Sequence, residues 1–308
     1  MNKTLALDPD AIESARDWEK VSHAIGHEYG LFMANYPKRW ASKFLEKELD
    51  TAGWGFWDLE KIKEFLILLE STNTFISLNS IYDNDLSWAE NYLALDEVKK
   101  VGCIAFARRE VRSKLPTLDQ LDPRTLRVNT TIEEKFSPKT LALNVKVYCQ
   151  NSAKIAIVDR HNYLTKLDGT DSLFTVFVRE LLGIVKGTRC HEILIYAKHE
   201  PQKYPYMRSN DSLAEQLEQS FFGSVTPTYG IKYMCCSEYE NEHDLHSRKI
   251  VTNHVVLLLS DSIAGRTYSQ SITRIPDQHV REKNLKSWID GEHGLDIKAT
   301  ATFKNYKS

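Results

Sequence analysis

Glycine, proline and cysteine are all scarce in this chain: 13, 9 and 5 among 308 residues. So little glycine and proline, with no internal repeat or low-complexity tract, excludes collagen-like and disordered classes. The cysteines, at 103, 149, 190, 235 and 236, fall into no metal-ligand spacing. Their odd number and the adjacent pair Cys235-Cys236 argue against a disulfide framework, and suit reduced, buried thiols in a cytoplasm. No apolar run approaches the roughly 18 residues of a membrane span; "HVVLLLS" is strand length, so no membrane association is expected. The opening "MNKTLALDPDAIESARDWEK" turns acidic too quickly to read as a signal peptide. Neither charge sign dominates. With 40 Lys and Arg against 42 Asp and Glu, the net charge is -2, so the whole-molecule field does not draw in nucleic acid. A polyanion would have to be held by local patches, of which "RREVRSK" (108–114) and "KHEPQKYPYMRS" (198–209) are the densest. Either run also reads simply as a solvated face.

What is present is ample for a core: 42% hydrophobic and 27% charged residues. A chain of this length suggests two modest domains. The boundary is expected in "LPTLDQLDPRTLRVNTTIEEKFSPK" (115–139), which holds three prolines and little helical periodicity. Residues 1–140 are read as a smaller mixed α+β domain of unknown role. Within them "DLEKIKEFLILLES" places Leu59, Ile62, Phe65, Leu66 and Leu69 at helical spacing, and "TFISLNSIY" and "VGCIAFA" read as strands. Trp40, Trp54, Trp57 and Trp88 are read as core rather than as a base-stacking platform, because nothing basic interleaves with them. His23 and His27, four apart, could share a helix face and a metal; the metalloprotease glutamate is missing and Gly26 weakens the helix, so no metal site is assigned.

Residues 141–308 are read as an α/β domain with a mixed, mainly parallel sheet flanked by helices. Strands "KIAIVD" (154–159), "HEILIYA" (191–197) and "IKYMCC" (231–236) alternate with two amphipathic helices. The first helix carries Phe174, Phe177, Val178, Leu181, Leu182 and Val185 on one stripe; the second opens with Ser212 and Glu215 as a capping box. Two further strands, "HSRKIVT" and "VVLLLS", are separated only by Asn253-His254 and read as a hairpin. "DQHVREKNLKSWIDG" reads as the closing helix.

A two-residue turn pairs positions whose numbers sum to 507, so Ile250 opposes Leu257 and Arg248 opposes Leu259. His246 and Arg248 then share a face about 6–7 Å apart, with Ser260, Asp261 and Ser262 returning beside His246. An imidazole, a guanidinium, a carboxylate and two hydroxyls suit a phosphodiester, which needs a nucleophile, a fixed cation and small donors for its oxygens. The blander account is a surface hairpin that happens to carry one histidine and one arginine.

The string His246-x-Arg248-x-x-x-x-Asn253, followed after six residues by Ser260-Asp261-Ser262, resembles the phospholipase D-like superfamily. That family carries His-x-Lys-x-x-x-x-Asp and then a Gly-Ser-x-Asn-like segment. The order of strands and helices, and "IVDRHNYL" after the first strand, where such domains often show Asp and an aromatic residue, agree with it over roughly 150–295. Here arginine replaces lysine and asparagine replaces aspartate, and Ser260-Asp261 replaces Gly-Ser. The resemblance implies phosphodiester transfer without a metal or other cofactor. His246 would be the phosphohistidine-forming nucleophile, Arg248 the phosphate clamp and Asn253 an orienter, with Ser260, Asp261 and Ser262 binding substrate. The chain has one such string, so the resemblance further implies a homodimer that brings two His246 residues together. His161 and His199, each just after a parallel strand, are the local candidates for a second histidine and for substrate contact. The expected function is a cytoplasmic hydrolase, a nuclease acting on DNA or RNA in the manner of bacterial antiviral defence or toxin effectors. The alternative is an inert phosphate- or nucleic-acid-binding regulatory subunit of a larger complex, with residues 1–140 docking a partner protein.

Overall fold

Short, almost wholly apolar runs make the sheet of the N-terminal part. In a computed structural model, which describes residues 3–46, 55–72, 74–78, 80–100, 102–108, 114–221, 230–237, 245, 247–263 and 270–304, the chain divides into two compact units, Met1–Asn129 and Thr130–Ser308. The first runs β1 (Lys3–Leu7), α1 (Ala15–Ser22), β2 (Leu31–Ala34), α2 (Trp40–Glu46), α3 (Phe56–Ser71), β3 (Phe75–Ile76), α4 (Trp88–Leu93), α5 (Glu97–Lys100), β4 (Cys103–Phe106) and α6 (Pro123–Leu126). Its strands lie in the order β3-β2-β1-β4, each pair parallel. Leu5, Leu7, Leu31 and Met33 join one core with Trp40, Ile62, Leu66 and Leu69, while Ala6, Ala34 and Ala105 join another with Trp88 and Tyr92. A sheet buried on both faces has no reason to alternate apolar with polar, which is why "TLAL" and "LFMA" carry no strand periodicity. This unit is therefore α/β with a parallel sheet, and the strand expected over "TFISLNSIY" shrinks to two residues. Trp40 and Trp88 are core as expected, whereas Trp54 lies outside the described residues. The His23 and His27 rings do not converge: Nδ1 of His23 bonds the Glu19 carbonyl at 2.8 Å and Nε2 of His27 the Thr72 carbonyl at 2.8 Å.

The second unit runs β5 (Thr131–Glu134), α7 (Pro138–Gln150), β6 (Lys154–Val158), α8 (Leu173–Val185), β7 (Glu192–Lys198), α9 (Asn210–Phe221), β8 (Gly230–Cys236), β9 (Lys249–Thr252), β10 (Val256–Leu259), β11 (Gln270–Ile275), α10 (Gln278–Asn284) and β12 (Ile297–Lys304). The division falls inside the expected stretch 115–139, ahead of the bound drawn at 140, because β5 pairs with β11 (Thr131 opposite Thr273) and α7 packs on α8. The sheet order is β12-β8-β7-β6-β9-β10-β11-β5. Its parallel part is the centre, β6-β7-β8; antiparallel strands extend it on both sides. β5, β11 and β12 have no counterpart in the sequence reading.

The hairpin register is the expected one: Val251 opposes Val256, Ile250 opposes Leu257 and Lys249 opposes Leu258. The Leu259 amide donates to the Arg248 carbonyl at 2.9 Å, carrying the ladder one pair further. The apolar stripe of α8 is fully buried, as its spacing requires. At α9 the cap sits earlier than expected: the Ser212 amide donates to the Ser209 hydroxyl at 3.2 Å, and Ser212 lies inside the helix. Among the described residues no helix is long and apolar enough to cross a membrane.

Candidate active site

β6 ends inside the sheet, between β7 and β9, and delivers Asp159 to its carboxyl edge with no exposed surface. One carboxylate oxygen accepts the His161 amide at 3.0 Å, which turns the chain sharply out of the strand. The Asn162 carboxamide locks that turn, donating to the carbonyls of Ile157 (3.2 Å) and Tyr196 (3.1 Å) on adjacent strands. Tyr233, fully buried, donates its hydroxyl to the Asn162 carbonyl. The turn is thus held from three strands.

Arg248, just before β9, comes to the same edge because β9 runs antiparallel to β6, placing Lys249 opposite Val158. Its guanidinium Nε lies 3.9 Å from an Asp159 oxygen, and a terminal nitrogen donates to the Ser260 carbonyl at 3.2 Å. In front of this pair opens a cleft of about 370 Å³, lined by His161, Tyr163, Lys166, Tyr204, Arg248 and Ser262, with Thr165, Ser172 and Asp261 completing the wall. The volume lies within the usual range for small-ligand sites, about 300–1,000 Å³. It sits outside the carboxyl ends of parallel strands, where open α/β sheets place ligands.

Burial sets the electrostatics. The Asp159 carboxyl is held above the usual carboxylate range by desolvation, which outweighs the Ser262 hydroxyl, the His161 amide and the nearby positive charges of His161 and Arg248. Burial likewise pushes the His161 imidazole below its ordinary value, with Asp159 pulling the other way and Arg160 and Arg248 adding repulsion. A buried carboxyl drawn upward beside an imidazole drawn downward approach each other in proton affinity, an arrangement suited to passing a proton. At neutral pH the imidazole is mainly unprotonated, which fits a base or nucleophile. The thiols are unsuited to either role. Cys190, Cys235 and Cys236 are buried, and desolvation raises them to about 11, 12 and 12.

Of the residues singled out in the sequence, Arg248, Asp261, Ser262 and His161 meet at this cleft. His246 lies outside the described residues. Ser260 contributes its carbonyl to Arg248 while its hydroxyl accepts the Ser271 amide at 2.7 Å, so it ties β10 to β11 rather than lining the cleft. Asn253 sits at the hairpin turn, at the opposite end of β9, where its carboxamide oxygen accepts the Lys154 amide at 3.1 Å. Four strand residues separate it from Arg248, so it orients the turn and not the phosphate clamp. His199 is absent from the cleft wall: its ring bonds the Met207 carbonyl at 3.0 Å and its amide donates to the Cys236 carbonyl. It anchors the loop that carries Tyr204.

Tyr163, Thr165, Lys166, Ser172 and Tyr204 were not selected from the sequence. Asp159 and Tyr163 carried a signal, as the acidic and aromatic residues of "IVDRHNYL"; the others come from two loops whose convergence has no local signature. No protein-family model matches the chain, and comparison with curated proteins finds no match either.

Proposed function

We propose that the second unit is a metal-independent phosphodiesterase acting on nucleic acid, with the phosphate held at the cleft beside Arg248. One observation carries this reading. The arginine of the His-x-Arg string lines a cleft that also holds an imidazole, a lysine and a buried serine hydroxyl, backed by a buried carboxylate. Arginine stays charged at any working pH and can grip two phosphate oxygens at once.

In this mechanism His246, assigned by the family resemblance, attacks phosphorus and forms a P–N bond as the P–O bond to the leaving strand breaks. A second His246, from a twofold-related copy, gives its proton to that leaving oxygen. Arg248 balances charge on the equatorial oxygens. His161, neutral at the working pH, then takes a proton from water as its oxygen attacks phosphorus. The P–N bond breaks, His246 is regenerated and a phosphate monoester leaves. Cysteine usage supports a cytoplasmic setting, the resemblance supports a defence or toxin role, and the first unit is left to dock a partner.

A second reading has its own observation. Arg248 already touches Asp159 and the Ser260 carbonyl, contacts that suit a non-catalytic phosphate- or nucleic-acid-binding subunit whose arginine is partly structural.

Cleavage of labelled DNA and RNA in EDTA separates the two. Turnover by the wild type that is lost in His246→Ala and falls at least tenfold in Arg248→Ala supports the enzyme. Binding without turnover, insensitive to His246→Ala, supports the second reading.

A further inference from the structure

The cleft has one wall that phosphate chemistry does not call for. His161, Tyr163, Tyr204 and Tyr206 form a continuous run of rings, with centroids 5.9, 4.1 and 5.9 Å apart in turn, and Tyr163 and Tyr204 stack within 24° of parallel. The run is held rigidly. Tyr163 donates its hydroxyl to Glu200 at 2.7 Å, and the Tyr206 hydroxyl accepts the Leu164 amide at 2.9 Å. Glu200 in turn pairs with Lys203 at 3.1 Å and Lys198 at 3.8 Å, so two cations of the "KHEPQKYPYMRS" stretch share the acceptor of the Tyr163 hydroxyl. Basic residues interleaved with aromatics are the footprint expected of a strand-binding surface, and Tyr204 of that stretch lines the phosphate cleft.

A second element flanks the same opening. Residues 165 to 171 fold back on themselves: Thr165 bridges Asp171, the Lys166 amide donates to the Thr170 carbonyl at 2.7 Å, and the Gly169 amide to the Lys166 carbonyl at 3.0 Å. Gly169 takes φ +81°, a left-handed conformation that a side chain would strain. Asp168 fixes the turn further by accepting the Thr170 amide at 2.9 Å. The result is a braced turn whose Lys166 lines the cleft while Leu167, next in the chain, is 77% exposed.

Resting on the phosphodiesterase reading, we propose that the cleft takes an unpaired nucleotide of a single strand. The phosphate sits at Arg248, the base lies against the open margins of Tyr163 and Tyr204 beside Leu167, and a flanking phosphate meets Lys166. A duplex has its base faces already stacked on one another and cannot offer one to a recessed ring wall, whereas an unpaired base can.

The test is fluorescence anisotropy with the full chain, using a short labelled single strand and the matching duplex at one salt concentration. Wild type, Leu167→Ser, Tyr204→Ala and Arg248→Ala are compared in the His246→Ala background to prevent turnover. The wild-type cleft is expected to hold the single strand at least about tenfold tighter than the duplex. Leu167→Ser and Tyr204→Ala each narrow that gap by weakening the single strand alone; Arg248→Ala weakens both nucleic acids. Leu167 is a surface residue, so its variant keeps the test valid if Tyr204→Ala fails to fold. Equal binding of the two forms, or an unchanged gap in Leu167→Ser, overturns the inference. If Arg248→Ala still weakens both forms in that case, the phosphodiesterase reading survives. If neither nucleic acid is bound or cleaved, that reading falls and the inference with it.

Discussion

Asp8 and Asp159 occupy matching places in the two units. Each follows the last residue of an interior strand, β1 or β6, each is buried, and each accepts the amide of the residue two positions on at 3.0 Å. Their further partners include different groups. Asp8 also accepts the backbone amide of Arg108, at 3.3 Å, and caps the short 3-10 turn Pro9–Ala11. Asp159 is met by side chains, the Arg248 guanidinium and the Ser262 hydroxyl, which face an open cleft. A buried aspartate tied to groups that a ligand can also reach is part of a site.

The sharpest way to break this comparison is to remove both carboxylates. Asp159→Ala leaves the His161 amide and the Ser262 hydroxyl without their buried acceptor and is expected to cost the second unit about 2 kcal/mol. Urea unfolding measures it. Asp8→Ala removes a cap and one amide contact, a loss of about 1 kcal/mol. Equal losses in the two single variants would mean that Asp159 is as structural as Asp8.

A smaller effect sharpens the comparison through pH. Burial lowers His161, so the unfolded chain binds more protons than the folded one over a window below the ordinary histidine value of 6.5. Stability therefore rises as pH climbs through that window and is lost as pH falls. Asp159, raised from 3.8, acts with the opposite sign: its folded form holds a proton longer, so it costs stability as pH rises above the carboxylate range. His254 and His293, also lowered by burial, share the sign of His161. The unfolding midpoint of the wild type is expected to increase between about pH 5 and 7, and His161→Asn to flatten part of that increase. A His161→Asn profile parallel to the wild type would place the imidazole in solvent.

Much of the second unit was legible because its elements are long or punctuated. The α8 stripe has a clear helical period, and the Asn253-His254 turn between two apolar runs set a register that the pairing of Ile250 with Leu257 matches. The edge strands were not legible. β5, "TIEE", is short and almost wholly exposed, and it becomes a strand only by pairing with β11, well over a hundred residues away. The candidate site divides in the same way. Arg248 and Ser262 lie on one hairpin and follow from its register, whereas Tyr204 reaches the cleft because His199 and Tyr206 anchor its loop through contacts no local pattern encodes. Asn253 shows the converse: neighbouring in the motif, it is carried to the far end of the strand by the direction of β9.

The amino-acid order by itself determined the α/β class of the second unit, the hairpin register and the chemical types gathered at its open end, since periodicity and turn chemistry act over a few residues. Only the tertiary structure decided that Asp159 lies behind Arg248, that two separate loops supply a ring wall, and that His199 and Asn253 stand elsewhere. Those facts depend on strand order and burial, which long-range packing fixes and which also move the proton affinities of Asp159 and His161 toward each other.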